Sequence, residues 1–200
     1  MTNTGIIILA AGSSSRFGNT KQLLHFNGKT LLQHAIGEAI DAGAEPIVVV
    51  TGANADEISK EIENEKVGIV FNKEWEQGMA SGIVIGLKKA ITLNKELEKV
   101  IITVCDQPFV SSLLFQQLFQ EQNKSAKHIV ASAYADTIGT PALFTGKYFD
   151  ALMGLTGDQG AKILLKKYSE DLAAVDFPGG DIDIDTQEDY ENLLNGNPGP

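Results

Sequence analysis

The chain has 200 residues, 43% of them hydrophobic, and carries 26 acidic against 16 basic side chains for a formal net charge of −10. This is enough to bury an ordinary core, and the negative charge argues against a nucleic-acid or anionic-membrane partner, because phosphate backbones are bound by surface Lys and Arg. The single cysteine, Cys105, excludes an intramolecular disulfide and a Cys-rich zinc site, and with no basic n-region, signal h-region or long apolar span at its start the chain reads as cytoplasmic.

Apolar runs bounded by turn residues alternate with stretches of helical period, the pattern of an α/β fold with a mostly parallel sheet. Strands are expected at 6–10, 46–51, 67–71, 100–105, 128–133 and 172–177, and helices at 30–42, 55–64, 81–91, 111–122, 158–168 and 186–194. Residues 134–147, "YADTIGTPALFTGK", break the alternation and read as a hairpin or small insertion. One domain is expected over 1–194, with 195–200 as a loose tail.

In open parallel sheets ligands bind beyond the carboxyl ends of the strands. The residues there are Ala11 to Lys21 after the first strand, Thr51 and Gly52 after the second, Asn72 after the third and Asp106 after the fourth. The first segment, "LAAGSSSRFGNTKQLL", is neither a Walker A loop, because the Gly and Lys spacing is wrong, nor a GxGxxG fingerprint. Ala10, Ala11 and Gly12 still clear space for a base or sugar, and backbone N–H groups in a Gly/Ser turn can cradle anionic oxygens. Arg16 offers a planar fork and Lys21 a movable point charge, a pair suited to polyphosphate. A flexible loop with solvated cations is the other reading.

Asp106 in "VCDQP" ends a buried strand and is either a helix cap or a metal ligand. In "DIDIDT" an extended backbone would put Asp181, Asp183 and Asp185 on one face and the isoleucines on the other, with Asp185 or Thr186 capping the next helix as the alternative. Two cations for phosphates and separated carboxylates for a hard divalent ion describe a Mg²⁺-nucleotide site.

These segments together resemble the MobA-like nucleotidyltransferases, in particular the branch of molybdenum cofactor cytidylyltransferases. "LAAGSSSRFGNTKQLL" matches its LAAGxSxRMGxxKxLL, "FNKEWEQGMASGIVIGL" its NPxWxxGMSSSLRxGL, and "CDQP" its DQP. "GTPALF", "LTGDQGAKILL" and "DIDTQEDY" follow in the family's order. The resemblance implies a Rossmann-like nucleotidyltransferase fold that moves CMP from CTP to the phosphate of molybdopterin with release of pyrophosphate and with Mg²⁺ as cofactor. The LAAG form of the loop goes with CTP in that family. Position and resemblance together assign the nucleotide to Leu9, Ala10, Ala11, Gly12, Arg16, Lys21, Thr51, Gly52, Gly78 and Ser81. Catalysis falls to Arg16, Lys21 and Asp106, Mg²⁺ to Asp106 and Asp185 with Asp183 in reserve, and the acceptor to Asn72, Gly139, Pro141, Asp158 and Lys162. The implied partners are CTP, a phosphorylated acceptor and a molybdoenzyme.

The acceptor motifs depart from the pattern. Gly82 and Val84 stand where the family has Ser and Arg, Ile138 replaces a basic residue, Thr140 a His, and Lys162 an Arg. Three functions therefore stay open: transfer to molybdopterin, transfer to a sugar or polyol phosphate, and a non-catalytic nucleotide-binding or chaperone role. A nucleotide-sugar glycosyltransferase would want a DxD after a central strand, where this chain has "CDQP". His25, His34 and His128 lack mutual metal-ligand spacing, Cys105 reads as a buried strand residue, and Trp75 either packs on the sheet edge or stacks on a ring.

Overall fold

In the computed structural model, which describes residues 3–13, 17, 20–63 and 65–196, the aliphatic runs become strands buried on both faces, as parallel sheets require. The strands are β1 (Thr4–Ala10), β2 (His25–Phe26), β3 (Lys29–Thr30), β4 (Ile47–Thr51), β5 (Gly68–Phe71), β6 (Lys99–Val104), β7 (Ile129–Tyr134), β8 (Thr137–Thr145) and β9 (Leu172–Asp176). The helices are α1 (Leu31–Asp41), α2 (Ala55–Glu61), α3 (Met79–Leu93), α4 (Ser112–Ser125), α5 (Phe149–Met153), α6 (Lys162–Lys167) and α7 (Gln187–Leu194).

Seven of the described strands form one sheet in the order β5-β4-β1-β6-β8-β7-β9, and β2 pairs with β3 apart from it. β1 lies between β4 and β6 in parallel register, while β8 is antiparallel to both β6 and β7. All strands of the large sheet except β8 therefore point the same way, and their carboxyl ends share one edge. Strand period two splits the core: Ile6, Ile8 and Ala10 pack with α1, α2 and α4, whereas Ile7 packs with α3, α5 and α6 on the opposite face.

The expected strands and helices are present, with three local differences. The 134–147 hairpin exists, turning on Ala135 and Asp136 with φ of 43° and 58°, but it is no appendage. Its second strand is an integral member of the sheet, because Ala142, Leu143 and Phe144 are fully buried and need cover on both faces. The helix expected at 158–168 starts at Lys162, leaving Asp158 to Gly160 as loop. "DIDID" makes no strand, its Asp181 lying in a turn, although Ile184 is fully buried as the alternation requires. No helix among the described residues is long and apolar enough to cross a membrane.

Asp171 ties β9 to the β8 end of the sheet. It accepts hydrogen bonds from Lys147 Nζ at 2.7 Å, Tyr148 OH at 2.8 Å and the His128 backbone N–H at 3.1 Å. Burial opposes its charge, but these donors outweigh it and hold the carboxyl at about 2. A folded value below the ordinary 3.8 gives stability that is complete above about pH 4 and lost as pH falls through about 2. Asp171→Asn is therefore expected to lower stability by about 1–2 kcal/mol at pH 7, a deficit that shrinks by about half at pH 3. Urea titrations at the two pH values check this, and an equal deficit at both would count against the charge.

Candidate active site

The cleft opens where β1 ends. In a strand, residues 9 and 11 share a face and residue 10 takes the other. Accordingly Leu9, Ala11 and Gly12 line a cavity of about 540 Å³ together with Lys21, Asn72, Gly78, Asp106, Asp158 and Asp185. Ala10 does not line it: its side chain is buried on the α1 side of the sheet. Its contribution is its carbonyl, because buried Gln22 donates through Nε2 to Ala10 O at 3.2 Å and Gly12 O at 3.0 Å. Gln22 thus pins the start of the loop to the turn that carries Lys21. Nothing in the sequence marks it beyond a polar residue directly before the apolar pair Leu23 and Leu24.

At the cleft floor Lys21 Nζ donates to Asp106 Oδ2 at 2.6 Å and to Asp185 Oδ1 at 2.8 Å. Lys21 and Asp106 are largely buried, and Asp185 is about half exposed. Burial works against the ammonium, but the attraction of Asp106 and the hydrogen bonds to both carboxylates raise its pKa above the usual lysine range. Asp185 arrives from the far side of the fold because β9 runs parallel to β6, so the chain leaving it returns to the same edge. A backbone bond from Ile184 N to Asp106 O at 3.0 Å docks it there. Ile184 packs beneath with Phe17, Leu31 and Leu193. Thr186 caps α7 in a capping box with Asp189, whose carboxylate also takes the Asp185 N–H at 3.1 Å. Thr186, not Asp185, thus supplies the cap, and the Asp185 carboxylate is left facing Lys21. Asp183 stays open to solvent, yet protein bulk around its carboxyl and the charges of Asp106 and Asp185 push it up to about 6.

The opposite wall is the start of α3. Gly78 at φ 101° begins it, and a Cβ there would meet Asp158 Oδ1 and, at 2.6 Å, Gly157 O, so only glycine lets this loop close over the helix. The Ala80 N–H already donates to Gly157 O at 3.2 Å. Ser81, expected at the nucleotide, stands outside the cavity lining. Its hydroxyl shares one proton between Gly78 O at 2.8 Å and Glu74 O at 3.0 Å and accepts from Asn72 Nδ2 at 2.8 Å, fixing the turn that presents Trp75. Trp75 and Met79 line the cavity, and Trp75 also packs its Cβ against Gly52 at the end of β4.

Other expected residues stand outside the cavity lining. Thr51 is fully buried, and Gly52 serves as a close approach, since a Cβ there would lie 2.7 Å from Ala11 O and from Trp75 Cβ. Gly139 and Pro141 are buried within β8, and the Tyr134 hydroxyl occupies the space above Gly139. Lys162 is exposed at the start of α6, away from the lining. Arg16 lies outside the described residues. Cys105 is buried, and burial and Asp106 push its thiol far up, which keeps it inert.

Among the described residues no three His, Cys, Asp or Glu side chains are grouped to hold a metal ion. Two carboxylates converging on one cation fit instead a hard divalent ion that takes its remaining ligands from phosphates and water. Asp106 and Asp185 are the pair that could hold it.

Comparison with known proteins places these features in context. The model of the MobA-like NTP transferase domain matches residues 6–172. The nicotine blue oxidoreductase of Paenarthrobacter nicotinovorans is 29% identical over 94% of this chain and 95% of its own length. The molybdenum cofactor cytidylyltransferase of Escherichia coli is 25% identical over 95% of each. The crystal structure of Rv0371c from Mycobacterium tuberculosis superposes with a TM-score of 0.85 at 26% identity, covering 97% of this chain and 98% of that one.

Replacing Gln22 by Leu keeps the volume and removes the donor to two loop carbonyls. The expected loss is about 1–3 kcal/mol of stability, read by denaturant titration. Wild-type stability in this variant would remove Gln22 as the clamp.

Proposed function

Because this chain belongs to the MobA-like NTP transferase family, we propose that it transfers CMP from CTP to the phosphate of molybdopterin and releases pyrophosphate. The observation that carries the reading is the convergence of Lys21, Asp106 and Asp185 on the floor of a cavity that begins at the end of β1. In this reading the nucleoside lies along Leu9, Ala11 and Gly12, against Trp75 and Gly78. Lys21 and Arg16 grip the phosphates. An oxygen of the acceptor phosphate attacks the α-phosphorus in line as the bond to the bridging oxygen of the β-phosphate breaks, so no protein nucleophile is needed. Catalysis is then alignment and charge stabilisation. A Mg²⁺ ion held by Asp106 and Asp185 would supply positive charge to the phosphates. Asn72 and Asp158 share the lining with the nucleotide residues and are the acceptor contacts this cavity favours.

A second reading, transfer to another phosphorylated acceptor, is favoured by two placements. Lys162 stands outside the lining, and Gly139 is covered by Tyr134. Burial first, with Asp183 and Asp181, raises the Tyr134 pKa. This neutral and acidic surface suits hydroxyls and amide groups better than a second anion.

Pyrophosphate release from each of the four NTPs with Mg²⁺, with and without molybdopterin, tests the function. Release with CTP that depends on the pterin is the expected result, whereas turnover only with a sugar or polyol phosphate transfers the assignment to the second reading. CTP binding with no release under any acceptor would leave a non-catalytic carrier. Asp106→Asn is expected to lower kcat by about two orders of magnitude, in the range for loss of a group that stabilises transition-state charge, while circular dichroism stays native. Full activity in that variant would take Asp106 out of the metal site.

A further inference from the structure

The reading above gives Lys21 and the metal different tasks but the same two carboxylates. The ammonium lies 2.6 Å from Asp106 and 2.8 Å from Asp185, so it fills the space in which a divalent ion would touch both. An ammonium and a divalent ion cannot both sit there, because like charges a few ångströms apart in a partly buried site repel strongly. Some cation is nonetheless required. Without Lys21 the backbone bond between Ile184 and Asp106 would hold Asp106 and Asp185 close as facing anions.

We propose that Lys21 is a latch that stands in for the divalent cation: it holds Asp106 and Asp185 together in the nucleotide-free protein and yields them when a polyphosphate offers it another anionic partner. Lysine suits the task, since its four-carbon stem lets a compact charge move while the backbone stays in place. The consequence is an order of binding. A free divalent ion is excluded from the empty site, and the metal enters together with the nucleotide as a cation–polyphosphate complex. This inference rests on the proposed assignment of Asp106 and Asp185 to the metal, and it goes beyond it by making access to those ligands conditional.

The test is a titration with Mn²⁺ alone, without nucleotide, followed by loss of the free-ion EPR signal. Wild type, Lys21→Met and Lys21→Met combined with Asp185→Asn are compared. Lys21→Met is expected to bind Mn²⁺ about tenfold tighter than wild type, as release of a competing charge predicts, and the added Asp185→Asn should abolish the gain. Lys21→Gln, neutral but still able to hydrogen-bond, is the second variant if the Met protein is not native by circular dichroism. Equal Mn²⁺ affinity in wild type and both Lys21 variants overturns the latch, as does a gain that survives Asp185→Asn. Pyrophosphate release by wild type, measured in parallel, separates the two ideas. Its absence beside tighter Mn²⁺ binding in the variants leaves the latch standing and removes the transferase reading; normal turnover beside unchanged binding does the reverse.

Discussion

Lys21 reaches Asp106 across 85 positions of sequence and Asp185 across 164, and the site depends on that three-way contact. The carboxylates come from the end of β6 and from the segment after β9, which lie in different parts of the sheet. Without a cation between them, their repulsion would oppose the backbone bond from Ile184 that brings the C-terminal segment home. Paired, they let Ile184 seat against Phe17, Leu31 and Leu193, so an electrostatic contact and an apolar one close the same seam. Removing one partner of such a buried pair costs more than the pair is worth, because the charge left behind loses both water and partner.

Around this centre, buried polar side chains act mainly on backbone. Gln22 holds two carbonyls of the β1 loop, Ser81 holds two at the start of α3, and Asn72 links Ser81 to the turn before Trp75. Loops that carry ligand contacts need such ties, since they have no ladder of their own to fix them. Glycine does complementary work where two loops must touch: Gly78 under Asp158 and Gly52 under Ala11 leave no room for a side chain. The result is a cleft whose walls are set by hydrogen bonds and whose floor is set by charge.

The cavity is built from the ends of the parallel strands β1 and β6 and the start of α3. β8, the strand that runs against the rest, stands outside its lining, and there the Tyr134 hydroxyl fills the space above Gly139. Relatives that share this architecture carry names as different as an oxidoreductase and a cytidylyltransferase.

Much of this was legible locally. Aliphatic runs bounded by turns located the strands, helical period located the helices, and the position of residues 11–21 and of Asp106 after strands put them on the ligand edge. The alternation in "DIDID" separated buried Ile184 from exposed Asp185 even though no strand forms there. Local pattern also overreached: it counted Ala10 as a lining residue, which strand period two denies, and it put Ser81 at the nucleotide, whereas its hydroxyl is taken up by the turn before α3. What only the tertiary structure decided were the long-range meetings: Lys21 between two distant carboxylates, Gln22 clamped on Ala10 and Gly12, Gly157 over α3, and β8 inserted between β6 and β7. The reason is that sequence period encodes which face of an element is apolar, a property of neighbours along the chain. Which elements then adjoin, and so which charges must share a cation, is fixed by strand order and direction, which no local period contains.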